Sequence, residues 1–169
     1  RSLDGKLTDA SLEAPENGSL YADAYSAEAK LTVTGNHGST QVRTVGVGGQ
    51  FFLFHPLTLR SGSYISEHDL MQDRVVLDET TAWTLFGSPD VAGMSVTIEG
   101  KPYYVAGVIH REDDFASEAA YGEGAGMFLS YDAFYELTQR EIDTQTELIQ
   151  QYNLLIAEKQ SELDALLQQ

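Results

Sequence analysis

The 169-residue chain has no cysteine, and it carries only 10 lysines and arginines against 26 aspartates and glutamates. Without a thiol there is no disulfide, no cysteine nucleophile, no thiolate zinc site and no iron–sulfur cluster. The shortage of bases leaves a formal net charge of −16. Such a charge repels phosphate, so nucleic-acid binding by counterion release and attraction to an anionic lipid surface are both disfavoured. Long apolar runs are missing as well. The longest strongly apolar run, Phe51-Phe52-Leu53-Phe54, falls far short of the roughly 20 residues a spanning helix needs. Glycine-rich phosphate loops are also lacking: Gly46, Gly48 and Gly49 match neither the dinucleotide fingerprint nor the Walker pattern, and no lysine follows. They read as tight turns that feed aromatics into a core.

What is present is enough for one domain with a real core. Residues 1–20 are polar, contain Pro15, Asn17 and Gly18, have no regular period and read as a loose lead-in. Ala27 to Thr34 alternates apolar and polar residues, which is the strand signature. With Thr40 to Val47 across the Gly35-Asn36-His37-Gly38 break, it forms an expected hairpin. Ser66 with Asp69 three positions on predicts a capped turn running to Met71. Val75-Val76-Leu77 reads as a short buried strand. Asp78 is placed to cap a helix that buries Ala82, Leu85 and Phe86 and stops at Gly87. Met94 to Ile98 and Tyr103 to Ile109 then flank a turn, Glu99-Gly100-Lys101-Pro102, and Met127-Phe128-Leu129 reads as a last strand. Strand, helix and hairpin in this order predict an α+β fold: a two-lobed mixed domain of short strands, hairpins and short helices.

The final segment differs in kind. Ser130 or Tyr131-Asp132 caps a helix in which Ile142, Ile149, Ile156 and Leu163 recur every seven residues, a coiled-coil spacing that Gln145 and Lys159 interrupt. A helix continuous from Asp132 to Gln169 would be roughly 55 Å long at about 1.5 Å per residue. The expected organisation is therefore a lead-in at 1–20, a core at 21–137 and a heptad-patterned, stalk-like amphipathic helix at 138–169. Asp132 to Leu137 is the part expected to pack on its own domain, and the remainder to pair with another helix.

Little here carries chemistry. None of the four histidines (37, 55, 68 and 110) has a second ligand at helical spacing, apart from the closeness of His110 to Asp113 and Asp114. No nucleophile elbow supports acyl transfer. Residues 112–123 hold Glu112, Asp113, Asp114, Glu118 and Glu123 with no base among them, but their spacing is not that of an EF-hand loop, and acidic runs usually stay hydrated. No catalytic residue, cofactor or metal site is expected. Residues 112–169 contain 13 acids and two bases, so the acid is concentrated in that loop and the last helix. Partner contacts are expected on exposed loops, 35–39 and 112–125, because loops on a rigid scaffold usually carry them. Asp113, Asp114, Phe115 and Glu118 are the candidate contacts there, and Phe52 a further one, because Phe51, Phe52 and Phe54 cannot all face one core from a regular strand.

Between residues 46 and 135 the segments Gly46-Val47-Gly48-Gly49-Gln50-Phe51-Phe52, Leu59-Arg60-Ser61-Gly62-Ser63-Tyr64-Ile65-Ser66, Arg74-Val75-Val76-Leu77-Asp78, Leu85-Phe86-Gly87, Val91-Ala92-Gly93-Met94 and Tyr104-Val105-Ala106-Gly107-Val108-Ile109 occur in a telling order. Together they resemble the extracytoplasmic core domain of MacB-like ABC transporter permeases, the FtsX-like group. The resemblance implies a non-enzymatic α+β domain inserted between the first two membrane helices of a permease, outside the cytoplasmic membrane. ATP hydrolysis would belong to a separate or fused nucleotide-binding domain. It implies as partners the membrane-spanning remainder, that ATPase, and an adaptor or a protein or peptide substrate, with a homodimer as a further option. On this reading Arg1, in place of a methionine, marks a domain taken from a longer protein. The helix from about Ile142 departs from the pattern, where a short approach to the second membrane helix would be expected. The rival expectation is a free secreted or surface-anchored binding module that oligomerises through this helix.

Overall fold

A computed structural model describes residues 5–7, 10, 21–66, 69–110 and 126–167. The expected hairpin forms and is longer than its alternation predicts: β1 (Ala24–Gly35) pairs antiparallel with β2 (Gly38–Gly49) in unbroken register. Glycines allow the extension. A Cβ on Gly48 would lie 2.2 Å from the Tyr25 ring, and one on Gly46 would lie 2.5 Å from Phe134. The chain then turns into α1 (Phe51–Phe54), a single helical turn that settles the aromatic problem by sending successive rings in different directions. Phe51 is buried, Phe52 half-buried and Phe54 exposed.

β3 (Thr58–Gly62) follows, then a turn in which the Asp69 carboxylate accepts the Ser66 N–H at 2.9 Å and the Asp69 N–H reaches Ser66 O at 3.0 Å. Leu70 to Asp73 do not continue it into a helix; Leu70 is fully exposed, so no buried face is there to hold one. β4 (Arg74–Asp78) ends on Asp78, whose carboxylate accepts the Thr81 N–H at 2.6 Å and caps α2 (Glu79–Phe86). That helix ends on Gly87 in the left-handed region, as expected. β5 (Ser95–Ile98) and β6 (Lys101–His110) form the second hairpin. Its turn is tighter than predicted, with only Glu99 and Gly100, both at positive φ, outside the strands. That conformation matches the right-handed twist of the flanking strands. β7 (Met127–Ser130) leads directly into α3 (Tyr131–Leu167), with the Ser130 hydroxyl accepting the Ala133 N–H at 3.3 Å.

The strands make one mixed seven-stranded sheet in the order β3-β6-β4-β7-β2-β1-β5. β5 also pairs with β6, so the sheet curls until β1, β2, β7, β4, β6 and β5 close a ring, with β3 outside it. Strand alternation then divides the core. Leu31, Val33, Val75, Leu77, Val105, Met127 and Leu129 point inward, where α2 adds Leu85 and Phe86 and α3 adds Ala133, Phe134 and Leu137. Val45, Val47, Val76, Ile109 and Phe128 point outward, covered by Phe51 and Ile65. The α+β class expected from the sequence is the one found, with its two apolar cores on opposite faces of a single sheet.

Candidate functional site

Three places on this frame could interact with something else. The first is the aromatic shelf on the outer face. Phe52 stacks on Tyr64 with ring centroids 4.7 Å apart and meets Phe51 and Phe128 edge-on at 5.5 Å and 5.8 Å. The Tyr64 hydroxyl donates to Leu57 O and pins the segment that covers them. Three ring contacts hold the half-buried Phe52, and α1 leaves Leu53 and Phe54 exposed. Beside them a cleft of about 50 Å³ opens between Tyr25, Gly48, Phe51 and Tyr131, well below the roughly 300 Å³ at which small-molecule sites begin.

The second is a charged cluster that no local spacing betrays. β4 and β6 run parallel with Asp78 opposite Ile109, so the residues that follow each, Glu79 and His110, meet although 31 positions apart: Nδ1 of His110 lies 2.7 Å from Oε2 of Glu79. Arg60 arrives from β3 on the other side of β6, with Nε 3.7 Å from Oε1 of Glu79. The hydrogen bond from His110 holds the Glu79 carboxyl below the usual carboxylate range; partial burial opposes this and the Arg60 charge adds to it. Among the described residues, the carboxylate, imidazole and guanidinium pair as an ion cluster. Among the described residues, no three histidines, cysteines, aspartates or glutamates gather to hold a metal ion.

The third is α3. From Ile142 to Ser161 every one of its residues is exposed, including Ile142, Leu148, Ile149, Tyr152, Leu155 and Ile156. No helix among the described residues is long and apolar enough to cross a membrane.

Of the residues singled out from the sequence, Asp113, Asp114, Phe115 and Glu118 lie outside the described residues, as do His68 and the rest of the 112–125 loop. The other loop named there, 35–39, is tied down: the His37 N–H donates to Leu85 O at 2.9 Å, and a Cβ on Gly35 would lie 2.7 Å from Leu85. His55 stacks on Phe51 at 4.3 Å. The described histidines thus serve packing and ion pairing.

The model of the MacB-like periplasmic core domain matches residues 4–168. The chain belongs to this family. The match takes in the heptad helix as well. The chain is 27% identical over 106 residues to the macrolide export ATP-binding/permease protein MacB of Aggregatibacter actinomycetemcomitans, across 62% of this chain and 16% of that protein. Solved structures that share its fold include two from related transporters. One is the periplasmic region of MacB from Actinobacillus actinomycetemcomitans, with TM-score 0.52 and 21% identity over 67% of this chain and 50% of that one. The other is the extracellular domain of the noncanonic ABC-type transporter YknZ from Gram-positive bacteria, with TM-score 0.52 and 19% identity over 65% of this chain and 54% of that one. The chain thus spans about half of the solved domains and a small part of the curated relative. A MacB-like periplasmic core domain belongs to a family of transporter permeases, not of enzymes.

Proposed function

We propose that this chain is the extracytoplasmic part of an ABC permease, which transmits conformational change and contacts a substrate or partner protein outside the membrane. The family match over residues 4–168 carries the reading, and the way α3 joins the sheet supports it. Ala133, Phe134 and Leu137 are buried, and Glu136 is bridged to Lys101 at 3.0 Å. A displacement of the exposed end of the helix would therefore reach the whole ring as a rigid unit. Residues 21–137 act as the core and 138–169 as the stalk in this scheme. The membrane-spanning remainder and an ATPase complete the machine, and an adaptor or a protein or peptide substrate is the external partner.

Because the chain lacks cysteine, a cysteine placed in it reports on this domain alone once any cysteines elsewhere in the full-length protein are replaced. A single cysteine placed by Thr97→Cys, at an exposed position of β5, in the full-length gene product should react with a membrane-impermeant maleimide applied from outside the cytoplasmic membrane. Reaction only after that membrane is broken would overturn the proposal. The exposed apolar residues of α3 favour one alternative, a free or surface-anchored module that oligomerises through the helix. A full-length gene without a downstream permease segment would support it.

A further inference from the structure

We propose that the outer edge of β1, from Ala24 to Lys30, is a docking site at which an extended segment of a partner protein adds to the sheet as a strand. β1 pairs with β2 along its whole length without a bulge, but with β5 only at Val33 and Thr34. One residue further on, Glu99 takes over the pairing: its carboxylate accepts the Thr32 N–H at 2.6 Å, and its own N–H reaches Thr32 O at 3.2 Å. Thr32 therefore points away from β2. Asp23, on the other parity, accepts the Gln50 N–H at 2.8 Å on the β2 side. Counting back by twos along an unbroken strand, Lys30, Glu28, Ser26 and Ala24 turn their N–H and C=O groups to the same outer edge as Thr32. Among the described residues, no backbone group pairs with them there, and all four residues are exposed.

An unpaired strand edge is a template for another strand. The other edge of the sheet, β3, is five residues long and broken by an irregularity between Leu59 and Ser61, which is how natural sheets discourage such pairing. β1 has neither guard, only the charges of Glu28 and Lys30. Side chains define the kind of strand that fits. On the inward face, Ala27 and Ala29 lie half-buried against the inner core, and their small size leaves room for large apolar residues at alternate positions of an incoming segment. On the outward face, Glu28 is neutralised by Arg43 at 2.6 Å, whereas Lys30 stands opposite Arg43 and has no carboxylate partner among the described residues. An acidic residue beside Lys30 would complete this local excess of positive charge. The occupant is thus an extended, alternating segment with apolar residues on one face and an acid on the other. The proposal rests on the reading above only in taking the partner to be a protein.

Amide hydrogen exchange of the 169-residue chain, read by NMR, tests it with a blocked nine-residue peptide that alternates valine with threonine around one central glutamate. The amides of Ser26, Glu28 and Lys30 should exchange freely without peptide and slow by about tenfold or more at saturation. Ser26→Pro, which removes only a donor that points off the sheet, should abolish this slowing, and Lys30→Glu should weaken it. If Ser26→Pro does not fold, a peptide N-methylated at alternate residues makes the same test from the ligand side. Amides already slow in the free chain, or unchanged by peptide, would overturn the proposal. So would peptide-independent slowing that appears with a doubled sedimenting mass, since a second copy would then be the occupant. Maleimide labelling decides the transporter reading separately, so neither failure can be mistaken for the other.

Discussion

Between Tyr131 and Leu137, α3 buries Ala133, Phe134 and Leu137 against the inner face of the sheet, whereas from Ile142 to Ser161 the same helix buries nothing. Both stretches are rich in apolar residues, so composition does not separate them. What separates them is a receptor. Gly46 on β2 leaves the space that the Phe134 ring occupies, and no element of the ring reaches the later turns. The distal stretch keeps its helix by local means, such as the Gln139–Asp143 hydrogen bond at 3.0 Å, while the hydroxyls of Thr144 and Thr146 bond back to the carbonyls of Arg140 and Ile142. Isolated helices gain little from such contacts, and packing of an apolar face supplies most helical stability in proteins. The exposed repeat from Ile142 to Ile156 therefore lacks, among the described residues, the packing that makes the buried end part of the fold.

The comparison can be broken at its strongest point first. Phe134→Ala empties the space above Gly46 and should cost about 3–5 kcal/mol in chemical denaturation; a loss below about 1 kcal/mol would mean that the helix is not anchored there. Tyr103 lies next to the boundary between the two stretches, fully buried, with a hydroxyl that has no hydrogen-bond partner among the described residues. Tyr103→Phe should therefore stabilise the chain by about 1 kcal/mol. Burial foremost, and then the nearby Glu136 charge, push the Tyr103 phenol up to about 12 from the ordinary 10.0. The folded state thus holds this proton more tightly than the unfolded state. The resulting stability is full below the ordinary value and is lost as pH rises through the folded value of about 12. A pH series of unfolding midpoints should show this alkaline decline in the parent chain and lose part of it in the phenylalanine variant. The smallest effect belongs to the exposed stretch. Ile149→Ala should leave the unfolding free energy within about 0.5 kcal/mol, and any larger loss should depend on protein concentration, as expected of a helix with a partner.

Most of the core was legible in the sequence. The alternation of Leu31 and Val33, the Asp78 cap and the Gly87 stop each depend on a few neighbouring residues, and each stands in the structure as read. The aromatic run at 51–54 was legible only as a contradiction, because strand geometry could not place three rings and a single helical turn could. The Glu79–His110–Arg60 cluster left no trace in the sequence, since its members belong to three elements that meet only through the pairing of β3 and β4 on either side of β6. The engagement of Phe52 with Tyr64, Phe51 and Phe128 depends on the turn around it and has no local sequence signal.

By itself, then, the sequence determined most of the elements, the α+β class, the concentration of acid toward the C-terminus and the heptad repeat, because propensity, capping and periodicity act over a few residues. Tertiary structure alone decided that the sheet closes into a ring through the β1–β5 pairing, which stretch of α3 finds a receptor, and which backbone groups of β1 remain at an open edge. Those outcomes depend on strand register between segments tens of residues apart, and register is settled by packing two faces at once rather than by any local pattern.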